Sequence, residues 1–155
     1  MFRYLIAAAI FFSTGCHAQS TSLVTSTDLN PYYRLVVENI EDNRVSVAVY
    51  YQVVSEDALV EKIIVGNAVT YVENIEYLEI DDTNDSREVL VTIHNRTSNY
   101  GARTGVIVNW TSGWRLLTIP DEKFEVRRNQ DGGISTIEIR ERPYIISKGI
   151  FKPER

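Results

Sequence analysis

Apolar residues occupy every second position through residues 44–55, and this alternation constrains the fold more than any other feature of the sequence. The alternating residues are Val45, Val47, Val49, Tyr51 and Val53. Successive side chains of a β-strand point to opposite faces, so the pattern predicts a strand with one face in a hydrophobic core. The opposite face is also partly apolar, which is typical of a long strand in the middle of a sheet.

Turn residues separate further segments of this kind along the chain. We predict strands over residues 33–39, 44–55, 69–80, 87–95, 104–109, 114–119, 124–128 and 134–140. Their side chains are mainly Val, Ile and aromatic, which suit a pleated and half-buried surface. Short strands at this spacing are typical of an antiparallel β-sandwich, either immunoglobulin-like or an open barrel. The predicted fold is therefore mainly β, with about 7–8 strands.

The alternation of apolar residues in the last two of these strands also predicts how the strands pair. Phe124 and Val126 would face inward opposite Ile137 and Ile139, because these positions carry the apolar residues of each alternation. The apolar tail that follows, residues 143–155, favours a further strand of the same sheet over a segment that docks on a partner.

Residues 56–65 are predicted to form one short helix. Acidic residues would lie in its first turn, Leu59 and Ile63 would share an apolar stripe, and Gly66 would end it. The β-branched run over residues 63–65 suits a strand equally well, so a strand stays open as the alternative.

Residues 1–18 have the order of a secretory signal peptide. Arg3 precedes an uncharged apolar run over residues 4–12, and small residues follow. The run is too short to cross a membrane as a helix, which needs about 20 apolar residues. We therefore expect export from a bacterial cell, a flexible Ser/Thr-rich tether over residues 19–30, and one β-rich domain over residues 31–155.

Two cleavage sites compete within this leader. Thr14-Gly15-Cys16 resembles the end of a bacterial lipobox, in which the cysteine receives the lipid and becomes the first mature residue. Ser13 departs from that pattern, which usually has Leu there. The alternative is a cut after Ala18, which would remove the cysteine. If Cys16 is lipidated, His17 differs from the Asp used for inner-membrane retention, and the resemblance to small envelope lipoproteins implies the outer membrane, facing the periplasm or the cell surface. Otherwise the protein would be periplasmic or secreted.

The charge balance disfavours polyanionic partners. The full chain has a net charge of −5, and loss of the leader removes Arg3 and no acidic residue, which gives −6. Nucleic acid and anionic membrane surfaces both require a basic protein surface, so we expect neither as a direct partner. A membrane association would then depend on a lipid on Cys16.

The residue types that most catalytic and metal sites need are scarce. The mature domain retains one histidine, His94, and Cys16 is the single cysteine of the chain. We expect His94 to be a surface or half-buried residue, and we predict no catalytic residues, no metal site and no cofactor. The acidic run over residues 79–88, which includes Asp81 and Glu88, is predicted to be a solvated turn, with a calcium site as the alternative.

Trp110, Trp114 and Tyr100 lie close together in the sequence around the loop over residues 111–113. Exposed aromatic rings can stack on sugars or anchor a protein contact. Packing of both tryptophans into the core is the favoured interpretation, and a ligand-binding site is the alternative.

These features predict a protein without enzymatic activity. The leader favours an envelope-associated or secreted accessory protein that acts through contacts with an envelope protein. The alternative function is a glycan- or peptide-binding module that uses Trp110, Trp114 and Tyr100.

The intact mass of the mature protein from a membrane fraction tests the export hypothesis. We expect a chain that begins at Cys16 and is heavier than its sequence by a diacylglycerol and an acyl chain. A mature chain that begins at unmodified Gln19 would show that the anchor is absent.

Overall fold

The computed structural model describes residues 21–52, 56–66, 70–81, 88–95, 102–110, 113–120, 123–129 and 134–154. Within these ranges the chain forms twelve strands, one short 3-10 turn over Glu41–Asn43, and no α-helix. The strands are β1 (Ser22–Asn30), β2 (Tyr33–Ile40), β3 (Arg44–Gln52), β4 (Asp57–Val65), β5 (Thr70–Leu78), β6 (Glu88–Asn95), β7 (Arg103–Trp110), β8 (Trp114–Thr118), β9 (Phe124–Arg127), β10 (Thr136–Ile139), β11 (Arg142–Ser147) and β12 (Ile150–Pro153). The mainly-β prediction is confirmed, with twelve strands in place of about 7–8.

Three antiparallel sheets are built from strands that follow one another in the chain. Sheet A has the order β1-β2-β3-β4, sheet B the order β5-β6-β7-β8, and sheet C the order β12-β11-β10-β9. Antiparallel neighbours need only short turns between them. Each sheet is therefore an up-and-down meander made from one contiguous stretch of sequence.

Sheet B is the middle layer of the stack, because its central strands are apolar on both faces. Val89 and Val91 of β6 pack against sheet A, whereas Leu90, which lies between them, packs against sheet C. In β7, Val106 likewise packs against sheet A and Ile107 packs against sheet C. Unbroken apolar runs of this kind are typical of strands covered on both sides.

Two hydrophobic cores hold the three layers together. The core between sheets A and B contains Leu35, Val37, Val45, Val47, Val49, Val89, Val91, Ile93, Val106, Val108 and Trp114. The core between sheets B and C contains Leu78, Ile80, Leu90, Ile107, Ile119, Phe124, Ile137, Ile139 and Ile146.

The segment that follows β5 connects sheet B to sheet C through backbone hydrogen bonds. The Ser135 N–H donates to the Glu79 carbonyl oxygen at 2.6 Å, and the Ile146 N–H donates to the Ile80 carbonyl oxygen at 2.8 Å. The third layer is thus attached to the second by hydrogen bonds as well as by its core.

The helix predicted over residues 56–65 is wrong, because this segment is strand β4. Ile63 and Val65 pair with Val47 and Val45 of β3 and face the core with them. A β-bulge interrupts the pairing: Val49 pairs with Glu61 and Tyr50 pairs with Leu59, so the register skips Val60. The interrupted alternation resembles a helical spacing, and the pairing with β3 overrides it.

Most of the segment expected to be a tether, residues 22–30, is strand β1 in the structure. It pairs along its whole length with β2, with Ser26 opposite Val36 and Thr27 opposite Leu35. As an edge strand it has a partner on one side only, so polar side chains are tolerated there and the sequence lacks a clear alternation.

The prediction for the end of the chain is confirmed. Val126 pairs with Ile137 and Phe124 pairs with Ile139, as the alternation indicated. The apolar tail forms β11 and β12, which extend sheet C. The turns that join these last strands hold Arg140, Glu141 and Lys148 at positive φ, together with Gly149.

Gly105 permits the close contact between sheets B and C. A Cβ atom at this position would lie 3.0 Å from Cζ of Phe124 and closer still to Cδ1 of Ile119. The Ile119 N–H also donates to the Gly105 carbonyl oxygen at 2.8 Å, so Ile119 is fixed in place by the backbone. We infer that the second core requires glycine here.

The substitution Gly105→Val should therefore destabilise the fold. We expect the free energy of unfolding to fall by about 2 kcal/mol, because an overpacked core must shift its neighbours. Urea denaturation measures the change, and Thr118→Val introduces a valine at an exposed strand position as the control. Equal stabilities of the two variants would contradict a close contact at Gly105.

Candidate functional site

Four aromatic rings form a cluster at one end of the sandwich made by sheets A and B. Trp110 and Trp114 face each other across the β7–β8 hairpin, with ring centroids 5.4 Å apart and an angle of 64° between the planes. Tyr33 lies 5.7 Å from Trp110 and 5.2 Å from Tyr51, also between ring centroids. These tilted arrangements are favourable for aromatic pairs.

The cluster is mainly a packing feature. Trp114 is only 6% exposed and belongs to the core between sheets A and B, while Trp110 is half-buried. Tyr100, the third residue of the predicted binding set, lies outside the described residues. Trp114 therefore packs in the core, as the favoured interpretation of the sequence predicted. A ligand-binding role for Trp110, Trp114 and Tyr100 stays a prediction.

Tyr33 and Tyr51 complete the cluster, and neither was singled out from the sequence. They are paired residues of β2 and β3 and share the inner face with Leu35 and Val49. The alternation in β3 already placed Tyr51 on the core face. Nothing in the sequence, however, indicated which residues of another sheet it would contact.

The outer face of sheet A has small side chains at its centre and exposed apolar residues on its edge strands. Pairing across the four strands places Val36 beside Ala48, and Ser46 beside Ile64. Their neighbours along each strand pack into the core, so these residues point away from it. Ser46 is only 1% exposed and Ala48 only 2% exposed, so the centre of this face is closed to water.

Exposed apolar side chains concentrate on sheet A within the described part of the chain. On its edge strand β4, Leu59 is 54% exposed and Ile64 is 47% exposed, and Val60 is exposed between them. Leu23 and Val24 are exposed on the opposite edge strand, β1. Grouped exposure of this kind is typical of a binding surface, whereas single exposed apolar residues are ordinary.

Charged residues of both signs border this face. Arg34 donates from Nε to Oδ1 of Asp28 at 3.0 Å, and Gln52 donates to the same oxygen at 2.7 Å. Oδ2 of Asp57 lies 3.7 Å from Nη1 of Arg34. The hydrogen bond from Arg34 lowers the pKa of the Asp28 carboxyl, and the bond from Gln52 adds to the effect.

Two carboxylates are buried near one end of sheet B, where the sequence predicted a solvated turn. Asp81 is 2% exposed and Glu88 is 1% exposed. The side-chain amide of Asn109 donates to both, at 3.0 Å to Oδ2 of Asp81 and 3.0 Å to Oε1 of Glu88. The Ile80 N–H donates to the other Glu88 oxygen at 3.0 Å. The solvated-turn prediction is therefore wrong for these two residues, and residues 82–87 lie outside the described ranges.

Burial raises the pKa of the Glu88 carboxyl, and the negative charge of Asp81 acts in the same direction. The hydrogen bonds from Ile80 and Asn109 stabilise the ionised form and oppose this effect. Removal from water is the largest contribution, so Glu88 binds its proton more tightly in the folded protein than in the unfolded chain.

His94 is half-buried, as predicted. Its ring centroid lies 5.2 Å from that of Tyr71, and Nδ1 lies 4.0 Å from Oε2 of Glu73. Arg103 also approaches this carboxylate, with Nε 3.7 Å from Oε2. Among the described residues, no group of three or more His, Cys, Asp or Glu side chains could hold a metal ion.

Comparison with protein-family models, curated proteins and solved structures found no significant match. The part of the chain that the structure describes contains no helix of sufficient length and hydrophobicity to cross a membrane. Cys16 and the leader lie outside the described residues. The geometry of the described surfaces is therefore the basis for a functional proposal.

The buried Glu88 makes the stability of the protein depend on pH. A carboxyl whose pKa is raised by folding stabilises the folded state when protonated, so its contribution grows as the pH falls from neutrality toward the pKa of an unfolded glutamate, about 4.3. We expect the free energy of unfolding of the native protein to increase over this range relative to Glu88→Gln. Thermal or urea unfolding at several pH values measures the difference. Glu79→Gln removes an exposed carboxylate as the control, and an equal effect in both variants would contradict the role of burial.

Proposed function

We propose that this protein is a non-enzymatic interaction protein of the bacterial cell envelope that binds a partner protein through the outer face of sheet A. The observation that carries the proposal is the group of exposed apolar residues on this face, with Leu59 and Ile64 on β4 and Leu23 on β1. Removal of such a surface from water favours association.

The dimensions of the face suit a small protein interface. Strands of nine residues are about 30 Å long, and four strands side by side are about 19 Å wide. The resulting area of about 600 Å² is close to the contribution of one partner to the smaller specific interfaces. A folded partner with its own flat apolar patch fits this surface better than a small molecule does.

The border of the face indicates the charge pattern of the partner. Arg34, Asp28, Glu38 and Lys62 lie on the same outer face, so both signs of charge lie near the exposed apolar residues. Protein interfaces commonly combine an apolar centre with a polar rim. The partner we propose therefore carries an apolar patch with acidic and basic residues around it.

The leader supports a location in the envelope. If Cys16 carries a lipid, sheet A begins only six residues later, at Ser22. Six extended residues span at most about 20 Å, so sheet A would stay within reach of proteins at the same membrane. This short distance favours a partner in or beside the outer membrane.

A charge placed on this face should prevent partner binding. We expect Ile64→Lys to weaken the affinity for the partner at least about tenfold, because the new ammonium group would be buried without a counter-ion. Ile150→Lys is the control, because Ile150 is 63% exposed on the edge strand of sheet C. The partner is first identified by photo-crosslinking from position 64 in intact cells. Binding of the purified partner to each variant is then measured by calorimetry.

Three results would contradict the proposal. The first is crosslinking from position 64 to a second copy of the chain alone. The second is equal crosslinking from positions 64 and 150. The third is an unchanged affinity of the Ile64→Lys variant, provided that its unfolding midpoint shows it to be folded.

A further inference from the structure

A groove of about 540 Å³ opens between sheets B and C, well away from the outer face of sheet A. Its lining residues are Pro120, Ile139, Arg140, Arg142 and Tyr144. Pro120 comes shortly after β8 of sheet B, and the other four belong to the β10–β11 hairpin of sheet C. A volume of this size accommodates a small organic molecule.

Arg142 is an exposed residue at the end of a row of paired residues whose other members are buried and apolar. It pairs with Ile139, which in turn pairs with Phe124 across β10 and β9. Both partners are nearly fully buried in the core between sheets B and C. Paired residues share a face, so Arg142 projects toward the same interlayer space at its open end. Departure from a regular apolar pattern is expected where a residue serves a function.

Tyr144 provides a flat and rigid wall for the groove. Its ring stacks on Phe151 of β12, with centroids 5.2 Å apart and an angle of 28° between the planes. It pairs with Ile137 and so faces the same interlayer space as Arg142. A ring fixed in this way can stack on a sugar or another flat group at low entropic cost.

The second arginine of the groove lies in a turn with an unusual backbone. Arg140 has a φ of 51° and Glu141 a φ of 64°, which Gly, Asn and Asp tolerate better than other residues. The two-residue turn would accept Asn-Gly at these positions. The presence of Arg140 there is consistent with a role for its guanidinium, because backbone strain is retained where it positions a functional group.

The charge of its lining residues indicates which kind of molecule the groove can bind. Among the described residues, the charged side chains that line the groove are Arg140 and Arg142, although the whole chain has a net charge of −5. The planar guanidinium group of arginine binds phosphate and carboxylate groups through paired hydrogen bonds. The remaining lining of Pro120, Ile139 and Tyr144 offers apolar and aromatic contacts to the body of the same ligand.

We propose that this groove binds an anionic ligand of sugar size, in which a phosphate or carboxylate group contacts Arg142 and Arg140 and the ring lies against Tyr144. This binding site goes beyond the protein–protein function proposed for sheet A and does not depend on it. The same chemistry could come from a soluble sugar phosphate, from a sugar acid or from the head group of a lipid.

Calorimetry and NMR titration of the purified protein test the proposal with glucose 6-phosphate, glucuronate, inorganic phosphate and uncharged glucose. We expect saturable binding of glucose 6-phosphate or glucuronate, weaker binding of inorganic phosphate, and no binding of glucose. Arg142→Gln should weaken the binding at least about tenfold, the usual effect of losing a charge-assisted hydrogen bond.

Arg44→Gln is the matched control, because Arg44 lies on sheet A and is separated from the groove by sheet B. Unfolding midpoints of both variants show whether each is folded. Titration with vesicles of phosphatidylglycerol and of phosphatidylcholine distinguishes the sources of the anion. Binding to the anionic vesicles alone, lost in Arg142→Gln and kept in Arg44→Gln, supports the groove and identifies a lipid head group as its ligand.

Two results would overturn the proposal. One is the absence of binding to every anionic probe, vesicles included. The other is an equal loss of binding in Arg142→Gln and Arg44→Gln. That result would show that binding depends on the overall charge of the protein and not on the groove.

Discussion

The rest of the structure depends on the burial of sheet B on both of its faces. Apolar side chains of β6 and β7 are buried on both faces of the sheet, and neither face can be left in water without a large loss of hydrophobic free energy. A two-layer sandwich would cover one face only. Sheet C therefore has to cover the other, and the last thirty residues of the chain supply it through β9 to β12. The three-layer stack follows from the composition of two strands.

Burial on both faces also explains the position of the polar residues in sheet B. Glu88 and Asn109 lie on adjacent strands and face sheet C, where each would lose its contacts with water. The Asn109 amide and the Ile80 N–H replace those contacts with hydrogen bonds, so the carboxylates of Glu88 and Asp81 are tolerated. The repulsion between the two carboxylates and their removal from water remain as a cost, which appears as the raised pKa of Glu88.

The sequence predicted those elements whose local pattern agrees with their final environment. The alternation in β3 and the facing of Phe124 and Ile139 could be deduced because apolar residues recur at every second position on the face that packs into a core. Strand β4 could not, because a bulge shifts its alternation and only the pairing with β3 reveals it. The contacts that form the candidate sites could be predicted even less well from the sequence. The proximity of Tyr33 to Trp110, and the position of Arg142 at the end of a core row, arise from contacts between sheets that no local pattern encodes.

The two outer layers of the stack differ in the chemistry of their outer faces. The outer face of sheet C carries Glu125, Arg127 and Glu138, with an ion pair between Arg127 and Glu138, as is usual for a face in water. The outer face of sheet A carries Val36, Leu59 and Ile64 in the corresponding layer, although nothing in the stack requires them there. Apolar side chains add no stability to the fold while they remain in water, so the core does not account for them. Burial against the proposed partner would account for them. Sheet A is also the layer closest in sequence to Cys16, so the proposed anchor would be joined directly to the layer that carries the proposed binding surface.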